Sequence, residues 1–205
     1  MQTPPSDKEI AIFRGLLELL RQGADLASIK ASDIAAAAGL GKGTLYNYFA
    51  SKDEIIAQAI FFHLEEHFDR IEAGVRQAGG FTQACYAILD YLEQQGLSRG
   101  INIHLLLLGG AEPGCRDLME QGRDRAAALW ARLDALGRAL AKRGCQEGVL
   151  QPQEPAYVRA VVISTLMGYL SAFCPLADQT PEALALAKRH AYRLLVAGLG
   201  GRLQE

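Results

Sequence analysis

Lys42, Thr44, Tyr46, Asn47, Tyr48 and Lys52 crowd into one short stretch, and each carries a group able to bond an anion or a base edge. From Ile34 to Lys52 there are two lysines and no acid, although residues 1–56 as a whole hold six basic and seven acidic groups. The attraction to a polyanion is therefore local, and the net charge of −2 adds nothing to it. The hydroxyls of Thr44, Tyr46 and Tyr48 and the amide of Asn47 are short donors on adjacent faces of one or two helical turns. Such donors, with lysine, hold phosphates and set register on a duplex. Base edges must be read by the few groups that face a groove, here Lys42, Gly43, Thr44 and Asn47.

These groups need elements to carry them. Ser32 to Ala38 reads as a short helix with Ile34, Ala35 and Ala38 on one face, ended by a left-handed Gly39. Gly41 and Gly43 bracket a tight turn, and Thr44 to Phe49 is a second helical piece. Two short helices joined by a glycine turn make a helix-turn-helix. The alanines let one helix cross close over the other, at the angle groove entry requires. Ser6-Asp7-Lys8-Glu9 and Ser51-Lys52-Asp53-Glu54 are capping boxes. The first opens a helix that Gly23 stops. The second opens a long one running to about Val75, before Gly79-Gly80.

Asp33-Ile34-Ala35, Ala38-Gly39, the run Lys42-Gly43-Thr44-Leu45-Tyr46-Asn47-Tyr48-Phe49 and Ser51-Lys52-Asp53-Glu54 together resemble the DNA-binding domain of the TetR family over about residues 6–60. The resemblance implies an all-α homodimer. A three-helix helix-turn-helix domain would occupy residues 1–50, and a larger helical effector-binding and dimerisation domain residues 51–205, with helix 51–76 linking the two. It implies phosphate contacts at Thr44, Tyr46, Tyr48 and Lys52, base-proximal positions at Lys42, Gly43 and Asn47, and core roles for Leu45 and Phe49. Lys30 and Ser32 join the DNA-contacting set. Family members often have threonine where Lys30 stands and serine where Gly41 stands. Lysine supplies a charge but no cap, and glycine supplies no cap.

Beyond residue 56 the chain shows helical periodicity at about 82–95, 101–109, 114–143, 154–174 and 180–198. Thr180 is placed to cap the last helix and Pro181 to occupy its first position. Residues 160–177 carry no charge, but their polar residues and the lack of flanking basic clusters favour a helix buried in an assembly over a membrane span. Ser164, Gly168 and Ala172 recur every four residues, and Ala187, Ala191 and Gly198 offer similar small positions. These suit either tight packing within one subunit or an isologous interface. With the resemblance, Val161, Ser164, Thr165, Gly168, Tyr169, Ala172, Ala187, Ala191, Leu194 and Leu195 are the expected dimer contacts.

An effector cavity should be apolar with a few polar groups, and Tyr86, Tyr91, Asn102, His104, Met119 and Trp130 are the candidates. His63 and His67 stand one turn apart, with Glu66 beside them. Two imidazoles are too few for zinc, so they join the ligand-lining candidates, and no metal or cofactor is assigned. Arg123, Arg125 and Arg132 alternate with Asp124 and Asp134, the pattern of a solvated face. Of the cysteines, Cys115, next to Arg116, is the best placed to sense redox state.

No nucleophile elbow, P-loop or metalloprotease motif is present, so no enzyme is expected. Without a charged-then-apolar leader at its start, the chain is expected in the cytoplasm. Its expected partners are a double-stranded palindromic operator, a second copy of itself, and a small apolar or aromatic effector that releases the DNA. The alternatives are a helix-turn-helix DNA binder with no small-molecule gate, or an enzyme or lipid carrier built on a helical bundle.

Overall fold

The computed structural model describes residues 4–26, 28–97, 122–173 and 179–201, and every regular element among them is helical. In chain order these are α1 (Asp7–Arg21), α2 (Ala31–Ala37), α3 (Lys42–Leu45), α4 (Lys52–Gln77), α5 (Phe81–Leu97), α6 (Arg123–Gln146), α7 (Pro155–Leu170) with a 3-10 turn at Ser171–Phe173, and α8 (Pro181–Gly198). The expected helix over 101–109 lies outside the described residues, as does the start of the run expected from 114. No described helix is long and apolar enough to cross a membrane.

Local chemistry sets most of the ends. Ser6 accepts the Glu9 N–H at 3.4 Å, and the Glu9 carboxylate accepts the Ser6 N–H at 2.7 Å, a complete capping box. The second box is made one residue out of step. Ser51 Oγ accepts the Glu54 N–H at 3.1 Å, but the Glu54 carboxylate reaches past Ser51 to the Ala50 N–H at 2.7 Å. Thr180 Oγ1 accepts the Ala183 N–H at 3.3 Å, with Pro181 at the first helical position. Gly39, at φ 69°, ends α2. Its N–H bonds Ala36 O at 3.1 Å and the Leu40 N–H bonds Ala35 O at 2.8 Å. The second bond needs the left-handed residue before it.

The described residues form two compact units. One takes residues up to Glu66 together with those from 122 to Ala127; the other takes His67 onward in α4, α5, and Ala128 onward. The first unit is cored by Ile12, Phe13 and Leu16 of α1, Ile34 and Ala35 of α2, Leu45, Phe49, and Ile55, Ala59 and Ile60 of α4. Phe13 sits at its centre, with ring centroids 5.7 Å from Phe49 and 5.4 Å from Phe62. Burying such side chains is the main favourable term holding these short helices, which are too brief to persist alone.

The second unit gathers Phe81, Ala84 and Cys85 of α5, Leu140 of α6, Leu150, Val158 of α7, and Val196 and Leu199 near the end of α8. Its α5 has a cap from far along the chain: both Glu147 carboxylate oxygens accept the Phe81 N–H, at 3.0 and 2.8 Å. Arg143 holds that carboxylate at 3.1 Å and donates to Ala78 O at 2.8 Å. An anion is thus fixed at the positive end of α5.

Candidate nucleic-acid interface and effector site

The helix-turn-helix is set a residue or two from its expected place. The first short helix starts at Ala31 rather than Ser32, with Lys30 at its cap position. The lysine has no oxygen to offer, as its type requires. Only the other half of the box is made, the Asp33 carboxylate accepting the Lys30 N–H at 2.9 Å. The second piece starts at Lys42 rather than Thr44, because Gly41 is already extended at φ −75°, ψ 146° and serves as N-cap without a side chain. Regular helix ends at Leu45. The path continues through Phe49 by bonds from Asn47 N–H to Thr44 O (3.2 Å) and from the Tyr48 and Phe49 N–H groups to Leu45 O (both 3.0 Å). Shared carbonyls and tightened turns are common at helix ends.

This geometry sorts the residues. Leu45 and Phe49 are buried in the core of the first unit. Lys30, Ser32, Lys42, Gly43, Tyr46 and Asn47 are exposed, and Thr44, Tyr48 and Lys52 are half-buried. Tyr46 keeps 49% of its surface exposed. Two acids that flank the segment are turned onto backbone N–H groups: Asp33 onto Lys30 and Glu54 onto Ala50. Lys52 donates to the Ile29 carbonyl at 3.1 Å, tying the start of α4 to the chain two residues before α2.

Gly15 plays a part that its sequence position did not reveal. A side-chain carbon there would lie 3.3 Å from the Ala37 Cβ, so only a bare backbone lets α2 pack flush on α1. No signal short of the tertiary contact marks it.

Of the effector candidates, His67 and Tyr91 are brought together. His67 is buried, its Nδ1 meets the Tyr91 hydroxyl, and the rings stand edge-to-face with centroids 5.6 Å apart. Tyr86 stacks instead on Tyr192, at 5.2 Å, and Tyr192 shares a hydrogen bond with Thr82 at 2.8 Å. Trp130 is exposed. His63 is half-buried and belongs to the first unit. Asn102, His104 and Met119 lie outside the described residues, as does Cys115. Among the described residues no three His, Cys, Asp or Glu side chains gather as a metal site. Burial, reinforced by the Glu147 charge, pushes the Cys85 thiol up to about 12.

Arg123 and Asp124 are exposed, as a solvated face requires, but Arg125 and Arg132 correct that expectation. Arg125 donates to both Glu65 oxygens, at 2.9 and 2.7 Å, and lies over the Phe61 ring. Arg132 bonds Glu72 at 3.0 Å and Asp69 at 2.7 Å and lies over Phe68. Alternating charge along α6 meets acids on α4 rather than water.

The expected dimer residues divide as well. Thr165, Tyr169 and Ala191 are buried within the second unit, and Tyr169 donates to Leu89 O at 3.2 Å. Burial and the nearby Glu93 and Asp90 carboxylates raise the Tyr169 pKa. Val161 faces Gly198, where a side-chain carbon would lie 2.8 Å from Val161 Cγ1. Ser164, Gly168 and Leu194 are exposed, and Ala172, Ala187 and Leu195 half-buried.

Residues 18–59 match the family model described as bacterial regulatory proteins, tetR family. An HTH-type transcriptional regulator of Staphylococcus aureus is 51% identical over 49 residues; the match spans only 24% of this chain and 25% of that protein. The whole chain superposes on solved structures at low identity. The fatty acid degradation regulator FadR of Bacillus halodurans has a TM-score of 0.73 at 19% identity, covering 98% of this chain and 100% of that one. FadR of Bacillus subtilis in complex with stearoyl-CoA has a TM-score of 0.70 at 18% identity, covering 92% and 98%. A TetR regulator of Haloarcula marismortui has a TM-score of 0.71 at 20% identity, covering 94% and 98%. Residues 18–59 thus carry the helix-turn-helix of the tetR family of bacterial regulatory proteins, and the chain shares the fold of these solved regulators.

Proposed function

We propose that the protein is a homodimeric repressor that leaves a palindromic operator when a small apolar or aromatic effector binds its C-terminal part. Residues 1–50 read DNA, and residues 51–205 hold the effector and the dimer contacts. The carrying observation is the sorting of one short segment: Leu45 and Phe49 are buried, while Lys42, Gly43, Tyr46 and Asn47 face outward. Thr44, Tyr46, Tyr48, Lys52, Lys30 and Ser32 hold phosphates, and Lys42, Gly43 and Asn47 approach base edges. A dimer of such units reads half-sites about one DNA turn apart, ~34–36 Å, inside the cytoplasm.

The gate lies in the second unit. His67 and Tyr91 form a polar pair in a helical setting, the kind of anchor an otherwise apolar cavity offers. The likeness in fold to FadR of Bacillus subtilis, solved with stearoyl-CoA, makes a long-chain acyl thioester the first ligand to test. To empty an operator, the ligand must bind the DNA-released state more tightly by several kcal/mol.

Footprinting on the chain's own upstream region, with and without stearoyl-CoA, tests the reading. A symmetric footprint that fades with ligand supports it. A footprint indifferent to acyl thioesters and to aromatic ligands removes the gate and leaves an ungated DNA binder. No footprint on any duplex sinks the proposal.

A further inference from the structure

Two arginines of α6 grip α4 in the same way. Each lies 60 residues beyond the glutamate it holds and rests on the phenylalanine four residues before that glutamate. Arg125, Phe61 and Glu65 all belong to the first unit, with the DNA-reading segment. Arg132, Phe68 and Glu72 all belong to the second.

The first clasp is the tighter. Arg125 is fork-to-fork with one carboxylate and 17% exposed, whereas Arg132 divides its bonds between two acids and is 29% exposed. Paired parallel bonds fix direction as well as distance, and a guanidinium over an aromatic face adds attraction. Just before Arg125, Gly122 brings the chain against the same ring: a side-chain carbon there would overlap Phe61, at 1.8 Å from Cε2. Phe61 is itself buried.

Next to Phe61, Phe62 packs on Phe13, and Phe13 packs on Phe49, where the reading segment ends. Side-chain contacts, joined along α4 where Phe61 and Phe62 are neighbours in sequence, therefore lead from Arg125 to the residues beside Asn47. Close-packed interiors transmit such displacements rather than absorb them.

We propose that Arg125 is a positioning residue for DNA binding: its clasp on Glu65 and Phe61 fixes α4, and through Phe62, Phe13 and Phe49 the angle of the reading segment. This rests on the DNA-reading role proposed above. Loss of the clasp lowers the fraction of molecules competent to bind, without removing a phosphate contact.

The test measures binding of the full-length protein to a labelled fragment of its own promoter across a salt series, alongside thermal melts. Arg125→Met keeps the length and the contact with Phe61 but loses the ion pair. It is expected to weaken binding about tenfold with an unchanged salt slope, since no counterion-releasing contact is lost. Arg132→Met is the control. It should lower Tm by about 2–4 °C and leave affinity within about twofold. Glu65→Gln should repeat the Arg125→Met result, which covers a poorly folded arginine variant. The charge-swapped pair Arg125→Glu with Glu65→Arg should recover the lost affinity. Arg125→Met or Glu65→Gln binding DNA like the wild type, while melting as low as Arg132→Met, overturns the proposal. So does a fall in the salt slope. A wild-type protein that binds no DNA fails earlier, at the DNA-reading role itself.

Discussion

The backbone of Gly15 in α1 stands so close to Ala38, the cap residue of α2, that a side-chain carbon added at Gly15 would lie 2.9 Å from the Ala38 nitrogen. The neighbouring atoms are backbone and cannot swing away. Gly15→Val must therefore push α2 off α1. Overpacking of this kind costs about 1–3 kcal/mol, and the displaced α2 carries α3 with it. The variant should unfold at lower urea and lose operator binding more than its stability loss explains. Unchanged urea midpoint and affinity would show that the two helices can separate freely.

Lysines 42 and 52 should behave differently on mutation. Lys42 is exposed, so Lys42→Ala should reduce the salt slope of DNA binding by about one unit and leave the urea midpoint unmoved. Lys52 also donates to Ile29 O, from a half-buried position. Lys52→Ala should reduce the slope similarly and also lower stability by about 0.5–1.5 kcal/mol, the ordinary net worth of a hydrogen bond. A Lys52 variant with lowered stability but a full salt slope would confine that residue to the Ile29 carbonyl.

What the sequence made legible follows from reach. Ser6 and Glu9, Thr180 and Ala183, and Gly39 with its two N–H bonds all act within a few residues, so their types alone announce the helix ends. The helix-turn-helix was legible for the same reason: glycine turn, outward donors and buried Leu45 and Phe49 lie in one run. Arg125 and Glu65 were not, because a partner 60 residues away cannot be seen from local charge alternation. Glu147 capping Phe81 was hidden likewise. The small residues of α7 and α8 pointed two ways at once. Gly198 serves a contact with Val161 inside the unit, while Ser164 and Gly168 stay exposed, and spacing alone cannot separate the two.

Cys85 offers a prediction in pH. Its thiol is raised from 9.0 to about 12, by burial first and then by the Glu147 charge. The folded state keeps the proton that the unfolded chain gives up near 9.0, so unfolding releases a proton between pH 9 and 12. Stability is whole below pH 9 and falls as pH rises through that window. Cys85→Ala should show a shallower fall, by up to one proton, in urea titrations between pH 9 and 10.5. The native thiol should also resist alkylation at pH 7.5, since the thiolate is the reactive form. Rapid labelling of Cys85 in the folded protein would contradict both expectations.

Leu194 is 61% exposed in the single chain, on a helix whose neighbour α7 leaves Ser164 and Gly168 uncovered. Exposed large apolar and small side chains on two helices that pack together are what a self-complementary contact can use. In an isologous interface every substitution enters twice. Leu194→Glu would therefore take two carboxylates out of water, at a cost of several kcal/mol when they find no partner. Its mass in sedimentation should fall toward the 22.2 kDa of one chain. Operator affinity should fall with it, because a lone reading segment holds only half a site, while helix content by circular dichroism stays at the wild-type level. Leu194→Ala should weaken the dimer without abolishing it. Should Leu194→Glu sediment as the wild type does, this face of α8 takes no part in self-association, and the two reading segments must be paired through some other surface.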